Sequence, residues 1–270
     1  MDIRFIPQEE IDKQLYNSCV HFATNGSLYG YDWYLNATAK EWDLLVEGDN
    51  YVTAMPLPKR QNWLGRTYLT QPTLVPDLAV YSVKPLSPKR IQAFWDAIPD
   101  TFRGGELTVE PASVPGQSGR FTVTSAVGEA LFLNQPYEAI TDNFPSGYYD
   151  RMARAEAADL LPVPVIKPEA FAAFWLEVHG SGGENEWKFH AMQRIMYQIL
   201  HRSWGNATGV QTRDGELLAV SFNAYSHGRV FPLFRAESQR GADAGAMTLL
   251  YDTLLRSHAG RSLKVELLPG

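Results

Sequence analysis

The sequence lacks most of the features that announce a function class. It has one cysteine, Cys19, so it forms no internal disulfide and nothing in it is stapled for an oxidising compartment. No stretch approaches the roughly 18 apolar residues of a membrane span. Met1 to Glu10 carries acidic residues and no apolar run, which reads as no signal peptide, so a cytoplasmic location is expected. Runs of Lys or Arg stop at two residues, and the formal charge is −6, from 24 Lys+Arg against 30 Asp+Glu. A mildly acidic chain does not attract a polyanion globally, so nucleic acid is disfavoured as a partner. Metal signatures are missing too. His179, His190 and His201 lie eleven residues apart with no Cys or carboxylate at ligand spacing. His-Glu-x-x-His, Gly-x-Ser-x-Gly and Walker A patterns are absent, so no metal is expected.

What is present is a globular composition. The 270 residues are 45% hydrophobic and 20% charged, enough to fill the core of one large domain or two ordinary ones. Ile3 to Ile6 is a short β-prone stretch that Pro7 ends. Gln8 to Phe22 reads as one helix, with Ile11, Leu15, Cys19 and Phe22 spaced for a single face. On that face Cys19 reads as a small buried apolar residue rather than a nucleophile. Ser27 to Ala39 is a second, aromatic-rich helical segment. The period then changes: Trp42 to Glu47, Asn50 to Leu57 and Arg66 to Thr70 read as strands. Pro56 and Pro58 predict that the second of these ends at or near a sheet edge. Ser87-Pro88 opens a helix with Ile91, Phe94, Trp95 and Ile98 inward. Strands follow at Glu106 to Val109, Arg120 to Thr124 and Glu129 to Leu133. Gln135 to Ala158 is mostly helical, broken around Pro145-Ser146-Gly147.

Leu161 to Ile166 reads as a linker running into a short strand, after which a similar order restarts. Pro168 to His179 and Glu186 to Trp204 are helices; the apolar face of the second serves a core or a dimer interface equally. Ala207 to Thr212, Leu217 to Tyr225 and Val230 to Arg235 form an antiparallel meander, with turns at Asp214-Gly215 and His227-Gly228. Gly241 to His258 is a helix and Leu263 to Leu267 a last strand. The expected class is α/β (α+β), with mixed, mainly antiparallel sheets flanked by helices. The expected domains are 1–160 and 161–270.

The order helix, helix, three strands, helix, strand resembles the acetyltransferase (GNAT) fold. Closer likeness lies in Tyr29-Gly30-Tyr31-Asp32-Trp33-Tyr34-Leu35, Glu41-Trp42-Asp43, Ala54-Met55-Pro56-Leu57-Pro58, Tyr68-Leu69-Thr70-Gln71-Pro72 and Leu131-Phe132-Leu133-Asn134 before Tyr137-Glu138. These stretches resemble a bacterial group of FemAB-like proteins, and the resemblance spans nearly the whole chain. It implies two GNAT-like domains and an N-acyltransferase that moves an acyl group from acyl-CoA to an amine on a small molecule or cell-wall precursor. It also implies more sheet after the last strand, so the second domain is expected to be truncated there. A polar, basic helix would follow the Tyr-Glu element in the group; here Arg151 and Arg154 alone keep its positive character.

The resemblance places the coenzyme A pyrophosphate at the start of the last long helix, where N–H groups and the helix dipole favour an anion. Its Gln/Arg-x-x-Gly-x-Gly/Ala pattern falls on Gln239, Ala242 and Ala244, with Arg240 and Gly241 between them as further cofactor candidates. One glycine of the pattern is lost, and Asp243 brings a negative charge. The competing reading is a capped helix with a small-residue face packed on the sheet. Glu237 is the candidate general base, because it follows the strand that lines the cofactor cleft in that fold; a surface charge before a helix is its alternative. His227, at the meander's second turn, is the other candidate base, with a solvated turn residue as its alternative. Tyr31 and Trp33, with Arg151, are the candidates for substrate contact in a cleft between domains. Lys59, Arg60 and Arg66 are candidates to meet an anionic acceptor, or form a solvated turn. Two other functions fit the same fold: a binding or regulatory protein that has lost catalysis, and an aminoacyl-tRNA-dependent peptidoglycan-type ligase, which the charge balance disfavours.

Overall fold

The computed structural model describes residues 2–126, 128–142 and 144–267. It divides into two compact units, Met1–Val127 and Gly128–Gly270. The first contains β1 (Ile3–Ile6), α1 (Lys13–Phe22), α2 (Asp32–Thr38), β2 (Glu41–Glu47), β3 (Thr53–Gln61), β4 (Thr67–Leu69), β5 (Tyr81–Ser82), α3 (Pro88–Asp96), β6 (Phe102–Val109) and β7 (Phe121–Ser125). Its sheet runs β1-β2-β3-β4-β6-β7, with β5 also paired to β3. The strands from β1 to β4 pair antiparallel; β4, β6 and β7 pair in parallel. The core is aromatic, with Tyr16, Tyr34, Trp42, Tyr81, Phe94 and Phe102 almost wholly buried.

Local chemistry explains where the sequence periodicity overran. Asp12 caps α1 by accepting from the N–H of Gln14 and Leu15, both at 3.0 Å, so the helix starts at Lys13 rather than Gln8. Pro56 and Pro58 do not mark a sheet edge. They lie inside β3, opposite Leu44 and Trp42 of β2. The other side of β3 is shared: β5 takes Thr53 and Ala54, and β4 takes Lys59 to Gln61. The two prolines fall in the gap, and the Pro58 carbonyl faces it, accepting from the N–H of Thr70 at 3.1 Å. Their missing N–H groups therefore cost no ladder bond.

The second unit contains β8 (Glu129–Phe132), α4 (Tyr137–Thr141), α5 (Ser146–Ala157), β9 (Leu161–Val163), α6 (Pro168–His179), α7 (Glu184–His201), β10 (Gly205–Gln211), β11 (Leu217–Ser226), β12 (Arg229–Glu237), α8 (Gln239–Ala244), α9 (Ala246–His258) and β13 (Lys264–Leu267). Its sheet runs β8-β13-β12-β11-β10-β9. All pairs are antiparallel except β12 with β13. The meander forms as the periodicity predicts, and its second turn has both His227 and Gly228 at positive φ, as a two-residue hairpin requires. On α6, Phe171 packs against Phe222, which in turn meets Phe234. On α9, Ala246 and Leu250 pack with Val210, Leu218 and Ala219.

Two expectations shift here. The compact units meet at 127/128, not 160/161, because β8 pairs with β13 and α5 packs on α9 through Ala155. The helix expected over Gly241 to His258 is two helices. Gly245 breaks it at φ +80°, and a Cβ there would lie 2.3 Å from the Arg151 carbonyl, so the break is what lets α5 lie close. The Lys264 to Leu267 strand forms, while Leu268-Pro269-Gly270 lies outside the described residues.

Candidate functional site

Both units run helix, helix, three strands, helix, strand, and in both the last strand lies parallel to the third. A parallel pair that diverges leaves backbone groups without partners on the inner sides of the fork. In the first unit the fork is β4 and β6, and the chain fills it. Leu78 bridges to Val109, its N–H bonding the Thr108 carbonyl at 3.0 Å and its carbonyl accepting from Glu110 at 2.9 Å. Gln71 accepts from the Thr108 N–H at 2.9 Å and donates to the Val75 carbonyl at 2.6 Å.

In the second unit the fork is β12 and β13. They pair over two rungs, Arg229 with Lys264 and Val230 with Val265. From there β12 runs on to Glu237 with no strand on that side among the described residues. The Arg235 carbonyl meets His179 Nε2 at 3.2 Å. An unpaired strand side of this kind accepts an extended, amide-bearing chain.

Glu237 stands at the end of this open side. Its carboxylate accepts from the Met247 N–H at 2.7 Å, capping the first turn of α9. Burial raises its pKa above the ordinary carboxylate value, and the Met247 bond and the Arg151 charge offset only part of that. Arg151 itself donates to Thr248 Oγ1 at 2.9 Å. The structure therefore brings Glu237, Arg151 and the start of α9 together. Tyr31 and Trp33 belong to the first unit, where they are buried and stacked on each other at 5.8 Å.

The α8 start does not fit a coenzyme A pyrophosphate. The Gly241 N–H is taken by Ser238 Oγ at 3.1 Å, and the Ala242 N–H by the Ser238 carbonyl at 3.0 Å. Arg240 is paired with Glu216, and Gln239 with Asp243 at 3.0 Å. Gly241 is buried, and a Cβ on it would lie 2.4 Å from the Leu218 carbonyl. Its missing side chain serves close packing on β11. The helix is also only six residues long, so its dipole is small. These are the properties of the capped, small-faced helix that the sequence offered as the competing reading. Ala244 ends α8 next to the Gly245 break and lies against the Leu218 cluster.

Sequence reasoning missed a second polar centre. Asp252, buried on α9, accepts from Tyr137 of α4 and Tyr148 of α5, and from Arg256 Nε at 2.7 Å. Arg256 also donates to the Tyr137 hydroxyl at 2.8 Å and stacks on its ring. Burial and the Asp252 hydrogen bond push both tyrosine pKa values up, so both hydroxyls stay protonated as donors. One signal existed, an Asp and Arg four apart on a helix otherwise facing the core, but the tyrosines that join them lie more than a hundred residues away in sequence.

Two cavities lie elsewhere in this unit. One of about 370 Å3 sits between α6 and α7, lined by Pro168, Met196, Tyr197 and His201 among others. One of about 210 Å3 is lined by Asn206, Thr208, Tyr225 and His258. Neither includes a residue singled out from sequence. Among the described residues, no group of three or more His, Cys, Asp or Glu is placed to hold a metal. No helix of the described residues is long and apolar enough to cross a membrane.

The architecture, two mixed sheets each flanked by helices, is similar to that of several solved structures. FemX matches with a TM-score of 0.68 at 10% identity, over 100% of this chain and 89% of that one. The C-terminal domain of an Agrobacterium fabrum protein assigned as a lysylphosphatidylglycerol synthetase matches at 0.52 and 11%, over 95% and 76%. A conserved Bacteroides thetaiotaomicron protein of unknown function matches at 0.51 and 9%, over 97% and 90%. At these identities the likeness is one of fold. No family sequence model matches the chain, and no curated protein does.

Proposed function

We propose that the chain is an acyl or aminoacyl transferase whose working unit is the second, with Glu237 as general base. The observation that carries this is the contrast between forks: the first unit fills its equivalent, whereas among the described residues no strand pairs with the Arg235–Glu237 end of β12, where a desolvated carboxylate stands. An acyl donor with an extended, amide-bearing arm would lie along β12. The acceptor amine would attack the acyl carbonyl as Glu237 takes its proton. The proton then passes to the leaving thiol or hydroxyl, and the carboxylate is restored. Arg151 would balance the carboxylate's charge between turnovers. A small molecule or cell-wall precursor is the acceptor class. The fold shared with a domain assigned to making an aminoacylated lipid supports the transferred group being acyl or aminoacyl. Acyl-CoA is the donor to test first, with its pyrophosphate held somewhere other than the α8 start.

The second reading is a binding protein without catalysis. It draws on the capping of α8 and α9 by Ser238 and Glu237, which leaves no free anion cradle there. Isothermal titration with acetyl-CoA and with free coenzyme A, alongside a screen of amine acceptors, separates the two. Turnover that disappears in Glu237→Gln supports the transferase. Turnover that survives it removes the base. Ligand binding without turnover for any donor leaves the binding protein.

A further inference from the structure

The hairpin joining β3 to β4 holds apolar side chains out in water on a firm turn. Asn62 accepts from the N–H of Leu64 and of Arg66, both at 3.0 Å. Its backbone N–H bonds the Arg66 carbonyl at 3.0 Å, and its carbonyl accepts from Gly65 at 2.9 Å. Gly65 supplies the positive φ of +71° that closes the turn. The result is Trp63 at 89% exposure beside Leu64 at 53%. No other tryptophan of the chain approaches this: Trp33, Trp42, Trp95 and Trp175 are buried, Trp204 is half-buried, and Trp187 is 39% exposed. A scattered surface leucine needs no explanation, but an indole held almost wholly in water on a firm turn does.

Three exposed arginines lie around the tip. Arg60 and Arg66 flank the turn, and Arg103 follows Phe102, which pairs with Thr67 at the start of β4. All three are exposed, and none makes an ion pair among the described residues. Lys59, by contrast, is committed to Asp43 at 2.6 Å. Exposed carboxylates at this end of the sheet include Glu41, opposite Lys59, Glu9 and Glu10, which follow Gln8, itself bonded to Trp42 at the start of β2, and Asp100, which is paired with Arg120 at 3.2 Å.

We propose that this hairpin docks the protein on an anionic membrane surface. Trp63 and Leu64 enter the interfacial layer, and Arg60, Arg66 and Arg103 meet the lipid phosphates. An indole is at its most stable at the headgroup level, where its ring is sheltered and its N–H finds an acceptor. A small apolar insertion gives weak binding by itself, and so do three cations; together they give reversible attachment that is sensitive to salt. The turn is already built, so little order has to be created on docking. This surface lies wholly in the first unit and does not depend on the transferase reading.

Cosedimentation of the full chain with vesicles tests it. At low salt, vesicles of phosphatidylcholine with phosphatidylglycerol should bind at least about tenfold more tightly than phosphatidylcholine alone, and added salt should weaken the binding. Brominated lipid should quench tryptophan emission. Trp63→Phe should keep binding and lose most of that quenching. The double change Trp63→Ser with Leu64→Ser, and the double change Arg60→Glu with Arg66→Glu, should each lower binding about tenfold or more while thermal unfolding stays put. Equal binding to neutral and anionic vesicles overturns the proposal, and so does a Trp63→Ser, Leu64→Ser variant that binds like the parent. A chain that ignores both vesicles but dimerises in sedimentation velocity, with the dimer lost in that variant, also overturns it and assigns the hairpin to a second copy.

Discussion

The two units use one element order and finish it differently. In the first, the fork between β4 and β6 is closed by the chain's own Gln71 and Leu78. In the second, no strand among the described residues pairs with the Arg235–Glu237 end of β12, and a carboxylate with a raised pKa stands there. In the first unit Asp43 pairs with Lys59, Glu47 with Arg90, and buried Asp32 accepts from Asn17. In the second, Asp252 pairs with Arg256 beneath two tyrosines, and Glu237 lies beside Arg151 with a raised pKa. The same element order thus closes one fork with the chain's own residues and leaves the other without a described partner strand at the end of β12.

The sharpest way to break this contrast is Glu237→Gln. If the open fork is catalytic, the change lowers turnover by about 10²- to 10⁴-fold, because proton removal at the acceptor is lost. Gln still accepts from the Met247 N–H, so the fold holds. A raised carboxyl pKa means that the folded chain binds this proton more tightly than the unfolded chain does. Its favourable contribution is present at acid pH and is lost as pH rises through the folded value. A neutral Gln escapes that loss, so the variant should unfold no earlier than the parent at pH 7 in a thermal melt. In the parent, the acid limb of the pH–rate profile should lie above the ordinary carboxylate range for the same reason. A limb near the unperturbed value would remove Glu237 from the chemistry.

Next in size is Asp252→Ala. It strands two tyrosine hydroxyls and Arg256 and should cost about 3 kcal/mol in denaturant unfolding. A loss under about 0.5 kcal/mol would show that α4 and α5 are held by apolar contacts alone. Gln71→Ala should cost about 1–2 kcal/mol, since it opens the first unit's fork and leaves the Thr108 N–H unpaired. If that variant is as stable as the parent, the plug is incidental and the contrast between units loses its meaning. The smallest effect concerns Cys19. Burial pushes its thiol up to about 12, so thiol reagents should modify it only on unfolding. Rapid labelling of the native chain would contradict its place in the core.

Periodicity made most elements legible, because apolar spacing reports which face is buried. The meander, α6, α7 and the aromatic face of α3 follow from spacing alone. Boundaries failed where a single side chain or glycine decides them. Asp12 moves the start of α1, and Gly245 splits the last helix, because a close approach to α5 is a tertiary fact. Pro56 and Pro58 misled for a related reason: the sequence shows that an N–H is missing, not which neighbour it would have faced. In the candidate site, Glu237 was named from its place after a strand in the resembled fold, and the structure sets it at the start of α9 beside Arg151. In the segment Gln239 to Ala244, expected as a cofactor site, Ser238 and Glu216 bond the polar groups from within the chain. The Asp252 centre was invisible because its partners are remote in sequence.

The placement of β8 sets an order of assembly. Phe132 pairs with Lys264, so this strand leaves the ribosome about 130 residues before its partner and waits unpaired while the meander forms. Until β13 arrives, β8 presents a bare edge. The last rung of the second sheet is therefore also the last to be won during synthesis. A pause or a premature stop near its end would release a chain whose first unit is complete and whose second is open to the wrong strand.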